Sequence, residues 1–231
     1  MTGRMQSEPD AQLLNRWDRS GWQDDALGRD GTGEEGVLAR FPRAEMERLY
    51  QRIVLGRDAV RGGVVVQVTS PQPRVGVTSV VLGLGRAAVD HSHRRVLLCD
   101  GSTGGDLLRE NRVIWRRGMA ALADSRNLLG PGLVACALHG EDGGGLGASL
   151  QALPRLRSVF DLVLLDVPAV ESSSAGLVLA GHVDTTVVVV EAERTRLPMA
   201  GELAGRIRQA GGDVAGIVIN KRRKHIPEGV Y

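Results

Sequence analysis

Short runs of consecutive apolar residues, separated by helix-like and glycine-rich stretches, dominate the middle of the chain. Runs that are apolar on both faces are typical of buried strands in a parallel sheet. Such runs lie at residues 63–70, 94–100, 132–138, 160–170, 184–190 and 214–220. Because they alternate with helical segments, they predict an α/β fold in which a doubly wound, mostly parallel sheet carries helices on both faces.

Apolar residues recur at helical spacing in several of the intervening segments. We predict helices at residues 43–55, from Thr78 onward, at 115–124, at 150–158 and at 198–210. The glycine-rich stretch at 139–147 is interpreted as a surface loop, and His91 and His93 are placed in a solvated turn before the second strand.

The two ends of the chain differ in composition from the segment between them. We predict a flexible N-terminal tail at 1–40, a single folded domain at 41–220 and a basic tail at 221–231. Four of the large apolar residues in the N-terminal tail lie close together, Leu13, Leu14, Trp17 and Trp22. They indicate either a short docking helix or merely a few apolar residues in a tail. The basic run at 221–224 indicates either contact with acidic head groups or an acidic partner, or a solvated end.

Composition narrows the function classes. With 231 residues, of which 42% are hydrophobic, the chain can bury a full core. The net charge of +2 and the aromatic content of 3% do not favour nucleic-acid binding. Two cysteines are too few for a disulfide framework, and no apolar run reaches the length of a membrane span. A soluble cytoplasmic protein is therefore expected.

The stretch from Gly63 to Ala88 carries the most specific chemistry. A strand, a tight loop and a helix in this order place unpaired N–H groups at the helix N-terminus, where they favour an anion such as phosphate. Compared with the P-loop pattern G-x-x-x-x-G-K-[ST], the chain has Pro71 at the first glycine and Val77 at the lysine, but keeps Gly76 and Thr78. Loss of the lysine's charge-assisted hydrogen bond weakens phosphate binding by about ten- to a hundredfold.

Polar residues end three of the predicted strands. Asp100 and Asp166 stand at carboxyl ends, the edge at which open parallel sheets bind ligands, and Asn220 ends the last strand. Each has a plainer interpretation, because Asp is a good helix N-cap and Asn is common in turns. Gly76 is likewise compatible with an ordinary turn. Both carboxylates together with Thr78 favour a nucleotide-shaped pocket.

The order of these motifs resembles the nucleotide-binding domain of the bacterial tyrosine kinases of capsule and exopolysaccharide synthesis, within the MinD/ParA superfamily of P-loop proteins. The loop SPQPRVGVTS stands where that family has S-x-x-P-G-E-G-K-[ST]-T, and FDLVLLDVPAV is similar to its F-D-x-V-h-h-D-x-P-P-V. RRVLLCDGSTGGD resembles its second acidic motif, and residues 184–196 and 210–223 match its last two strands.

The resemblance implies a cofactor and a role for each matching residue. The cofactor would be ATP or ADP with Mg²⁺. The residues implied to line its site are Gly76, Val77, Thr78, Ser79 and Asn220, with Asn220 at the base. Thr78, Asp100 and Asp166 would serve the metal, and in an active enzyme Asp100 and Asp166 would also be the catalytic residues.

Three departures separate this chain from the family pattern. Val77 replaces the phosphate lysine, and Arg74 with Val75 replaces a Gly-Glu pair, so the resemblance leaves the shape of the loop open. Arg74 is also a candidate to supply the missing charge, although its position differs from that of the lysine. The family's kinases end in a tyrosine cluster, whereas this chain has only Tyr50 and Tyr231.

The leading interpretation is a catalytically weakened relative of these kinases. It would regulate or scaffold polysaccharide synthesis and export in the cytoplasm, held at the inner membrane by the cytoplasmic part of a copolymerase or chain-length protein. Homo-oligomers would be compatible with this role, and no nucleic acid is expected. One alternative is an active ATP-dependent tyrosine autokinase with Tyr231 as acceptor. The other is a MinD/ParA-like positioning ATPase.

Overall fold

A computed structural model describes residues 43–54, 62–92, 94–102, 128–130, 133–138 and 145–221. Seven strands lie in this part of the chain: β1 (Val64–Thr69), β2 (Val96–Asp100), β3 (Leu128–Gly130), β4 (Leu133–Ala137), β5 (Leu162–Asp166), β6 (Thr185–Glu191) and β7 (Val214–Asn220). Five helices accompany them: α1 (Arg43–Val54), α2 (Val77–Ser92), α3 (Gly145–Val159), α4 (Ala175–Ala180) and α5 (Leu197–Gln209).

The strands form one sheet in the order β3-β4-β2-β5-β1-β6-β7. Six of the strands are parallel, and β3 runs antiparallel to β4 at one edge. β1 lies inside the sheet between β5 and β6, and all six of its residues are buried. A central strand that is covered on both faces explains its continuous apolar sequence. The predicted mostly parallel α/β sheet is confirmed.

Helices cover both faces of the sheet, as predicted. α1 and α2 pack on the face formed by alternate residues such as Val66, Leu98 and Leu164. α3 and α4 cover the opposite residues of β2 and β5, such as Leu97 and Leu165, while α5 packs on β6. Because side chains alternate along a strand, the position of a strand's last residue fixes which helical layer it faces. This alternation decides where the polar strand ends point.

Two ion pairs join segments at the amino edge of the sheet. Arg95 precedes β2 and pairs with Asp161 before β5, with 3.2 Å between Nη2 and Oδ1. Arg157 at the end of α3 pairs with Asp184 before β6 at 2.6 Å. Although desolvation raises it, hydrogen bonds from the Arg95 side chain and backbone hold the pKa of Asp161 below its usual value.

Several predicted boundaries need correction. α3 begins at Gly145, so the end of the predicted 139–147 loop is helical. His91 lies in the last turn of α2 and not in the turn before β2. The short elements β3 and α4 are not predicted by the pattern. The predictions for residues 1–40, 115–124 and 222–231, and for His93, fall outside the described residues.

The described helices include none that is long and apolar enough to cross a membrane. At the edge of the sheet opposite β3, β7 exposes Ile217 and Ile219, which share the face of Val188 and Val190 on which α5 packs.

Candidate functional site

A crevice at the carboxyl edge follows from the connections of β1 and β5. α2, which follows β1, packs on one face of the sheet, whereas α4, which follows β5, packs on the other. Neighbouring parallel strands whose connections leave on opposite faces open a crevice between them, and such crevices hold the ligands of open α/β sheets. The loop of residues 70–76, which joins β1 to α2, borders this crevice.

That loop is tightly held by local contacts. Ser70 Oγ donates to the carbonyl of Gln72 at 2.8 Å, and Val75 is completely buried in the core below. Arg74 has φ 64° and Gly76 has φ 94°, the left-handed region that favours glycine. Arg74 therefore adopts the kind of conformation for which the family pattern has a glycine at the same position.

The predicted carboxylates lie side by side. Asp100 and Asp166 are partners in the register of β2 and β5, and Asp166 is also the partner of Val68 in β1. Their positions continue the alternation of Leu98 and Leu164, so both side chains face the α2 layer. Asp100 is completely buried and Asp166 is 5% exposed.

Asp100 also shapes the turn that follows it. Its Oδ1 accepts hydrogen bonds from the backbone N–H of Ser102 at 2.9 Å and from the Ser102 hydroxyl at 2.6 Å. This is an Asx-type turn, close to the plainer capping role that its sequence position allows. The carbonyl of Asp166 accepts the N–H of Gly101 at 2.8 Å, which locks the two strand ends together.

The beginning of α2 supplies the rest of the predicted site. Val77, Thr78 and Ser79 are half-buried, and the first turn contains no acidic residue. The hydroxyl of Thr78 and the two carboxylates are oxygen donors of the kind that Mg²⁺ prefers, so this donor set fits the implied metal. The half-buried Val77 supplies no positive charge to phosphate, and the side chain of Arg74 is exposed.

The end of β7 reaches across to the loop. Asn220, 9% exposed, donates from Nδ2 to the carbonyl of Val75 at 2.8 Å, and its Oδ1 accepts the N–H of Lys221 at 2.7 Å. Lys221 Nζ donates to the carbonyl of Arg74 at 2.6 Å and contacts Glu191 Oε2 at 3.3 Å. We call these two residues and their bonds to the loop the β7 clamp.

Glu191 connects the β7 clamp to β6. Its carboxylate accepts hydrogen bonds from Arg194 at 3.1 Å and from Lys221. Although desolvation raises it, these hydrogen bonds and charges lower the pKa of Glu191. A carboxylate with two cationic partners stays charged, and it keeps the ammonium group of Lys221 beside the loop.

The structure thus brings all the predicted site residues to one edge of the sheet, as the strand-end argument anticipates. Asp100, Asp166 and Asn220 share the α2 face, and Thr78 lies in the first turn of that helix. The sequence prediction misses Lys221, which it groups with a basic tail, and Glu191. The roles of these residues toward nucleotide and metal stay predictions.

Comparison with solved structures identifies the fold. The kinase domain of the Escherichia coli tyrosine kinase ETK is 20% identical over 89% of this chain and 88% of that chain, with a TM-score of 0.68. A nucleotide-binding protein from Archaeoglobus fulgidus, solved with ADP, is 14% identical over 81% of this chain and 75% of its own, with a TM-score of 0.52. The MinD cell division protein of Aquifex aeolicus is 18% identical over 70% of both chains, with a TM-score of 0.50.

No family model and no curated protein matches the sequence. At identities this low, the likeness to solved structures establishes the architecture and not the activity. The predicted resemblance is confirmed at that level. The chain has the P-loop α/β fold shared by bacterial tyrosine-kinase domains and MinD-type ATPases.

Proposed function

We propose that this chain is a kinase-like subunit with a weakened nucleotide site, which regulates or scaffolds the synthesis and export of a capsular or extracellular polysaccharide. It acts in the cytoplasm, bound to the cytoplasmic part of an inner-membrane copolymerase. The kinase-type fold supports this proposal, and the motif resemblance supplies the polysaccharide link.

One observation carries the proposal. Asp100 and Asp166 remain adjacent and buried on the face of α2, while Val77 stands at the position that the P-loop pattern gives to lysine. A site that keeps its metal-type oxygens but lacks its cation retains the shape for a nucleotide and loses most of the electrostatic stabilisation of phosphoryl transfer.

The first experiment measures ATP affinity with Mg²⁺ by calorimetry for the wild type and for Val77→Lys. We expect weak binding and negligible turnover in the wild type, and an affinity about ten- to a hundredfold higher in the variant. The double variant Val77→Lys with Asp166→Asn is the matched control, because it restores the cation but removes a metal-facing carboxylate. Rapid ATP turnover by the wild type, or phosphate on Tyr231, would contradict the proposal.

The second experiment tests the scaffold role. The full chain is mixed with the cytoplasmic segment of an inner-membrane copolymerase from the same organism, and the complex is measured by analytical ultracentrifugation with and without ATP. We expect association in both conditions, since a scaffold with a weakened site does not depend on the nucleotide. Association only with ATP would indicate an active switch of the MinD type.

A further inference from the structure

The shape of the loop between β1 and α2 is fixed from outside the loop. Two consecutive carbonyls, those of Arg74 and Val75, are each bound by a side chain at the end of β7. The Asn220 bond to Val75 is buried, whereas Lys221 is 45% exposed and is held by Glu191, which is 18% exposed. The loop is thereby connected to the ends of both β6 and β7.

The two hydrogen bonds to the loop carbonyls also determine where the neighbouring N–H groups of the loop point. In a planar trans peptide, the carbonyl and the N–H of the following residue point in opposite directions. Anchoring the carbonyls of Arg74 and Val75 therefore turns the N–H groups of Val75 and Gly76 away from Asn220 and Lys221. Within the described part of the chain, these two N–H groups have no hydrogen-bond acceptor.

The loop and the side chain of Asn220 are also closely packed at Gly76. A Cβ atom on Gly76 would lie 2.2 Å from Asn220 Nδ2, so the loop and the side chain of Asn220 pack without space for another atom. Lys221 itself has φ 55°, a conformation that brings its side chain back over the loop at some backbone strain. Strained residues persist where the surrounding contacts hold them in place.

We infer that Asn220 and Lys221 are positioning residues, which set the backbone of the phosphate-type loop from the far end of β7. This inference rests on the proposed nucleotide-shaped site, and it assigns Asn220 to the loop in addition to the base contact that the family resemblance implies. The family pattern has a Gly-Glu pair and a lysine within the loop itself. Here Arg74, Val75 and Val77 occupy those positions.

The test measures hydrogen–deuterium exchange of the ligand-free full chain, in peptides covering residues 71–80, for Asn220→Ala and Lys221→Met. Loss of one clamp bond is expected to speed exchange of the Val80 amide, which donates to the carbonyl of Gly76, about five- to tenfold. Exchange in β2 and β5 and the thermal midpoint should stay unchanged for Lys221→Met, and Lys221→Arg, which keeps the cation, should exchange like the wild type. Arg194→Met is the matched control, because it removes the other cation on Glu191 without touching the loop.

Unchanged loop exchange in both Asn220→Ala and Lys221→Met would overturn the inference, as would equal acceleration in Arg194→Met. The readout needs neither ATP nor a partner. Failure of the proposed function, seen as rapid turnover or no copolymerase binding, is therefore distinguishable from failure of the clamp.

Discussion

Gly76 has no room for a side chain. It combines a φ of 94° with the contact to Asn220, so an added methyl group meets both backbone strain and a collision. Its sequence position alone is compatible with an ordinary turn. The structure shows a glycine that is needed for close approach as well as for conformation.

Gly76→Ala should lower the free energy of unfolding by about 2 kcal/mol. Left-handed strain costs about 1–2 kcal/mol and loss of the Asn220 bond about 1, offset in part by the stiffer unfolded chain. Urea denaturation measures the change. Gly201→Ala is the control, because Gly201 lies within α5 with open space where the added methyl group would stand, and it should gain about 0.5–1 kcal/mol. Equal effects at both sites would contradict this account.

The candidate site is predictable from the sequence where it depends on local pattern. Asp100 and Asp166 each follow an apolar run, and parallel strands bring such ends to one edge. The β7 clamp is not predictable in this way. Its bonds join residues 74 and 75 to residues 220 and 221, and a basic run at a strand end looks the same in sequence whether it is solvated or bound.

At the scale of the elements, a partly buried ion pair and two backbone hydrogen bonds join the segments before β2 and β5. Asp161 accepts both the backbone N–H and the guanidinium of Arg95. Since the pKa of Asp161 is lower in the folded than in the unfolded chain, the stabilisation is present above the unfolded value of about 3.9. It is lost as the pH falls through the folded-state pKa.

Asp161→Asn should therefore lower the free energy of unfolding by about 1–2 kcal/mol at pH 7, and by progressively less below about pH 4. Urea titrations at a series of pH values give the difference from wild type. Arg86→Gln removes the exposed pair with Asp90 and should change stability by less than about 0.5 kcal/mol. A difference for Asp161→Asn that grows toward low pH would show that another group controls this edge.

The long elements follow from the sequence and the short ones do not. β7 is predicted residue for residue, because an unbroken apolar run is bounded by Gly212 and the basic segment. α4 has six residues and β3 has three, too few to show a period. The start of α3 is missed because Gly145 and Gly147 are typical of loops, although both lie in the helix.

At the scale of the whole molecule, both cysteines lie in strands of the sheet, and both face the helical layer that contains α3. Cys99 and Cys136 are register partners in β2 and β4, with 3.6 Å between their Sγ atoms. The hydrogen bond with Cys136, together with burial, raises the pKa of the Cys99 thiol well above its usual value. A buried thiol that stays protonated is a poor nucleophile.

Neither thiol should react with an aromatic disulfide reagent at pH 8 in the native protein on the timescale of minutes. Both should react at once in concentrated urea, since unfolding exposes them. Absorbance of the released thiolate counts the reacted groups, and the chain contains two cysteines. Rapid reaction of even one in the native state would mean that β2 and β4 separate without global unfolding.

The central place of β1 has a consequence for how the chain assembles. β1 is made early, yet its neighbours in the sheet are residues 162–166 and 185–188, about 100 residues further along the chain. During synthesis its bare apolar strand must wait for both, about 5–25 seconds at ribosomal rates of about 5–20 residues per second. We therefore expect slow folding, with this strand exposed to aggregation until its neighbours are made.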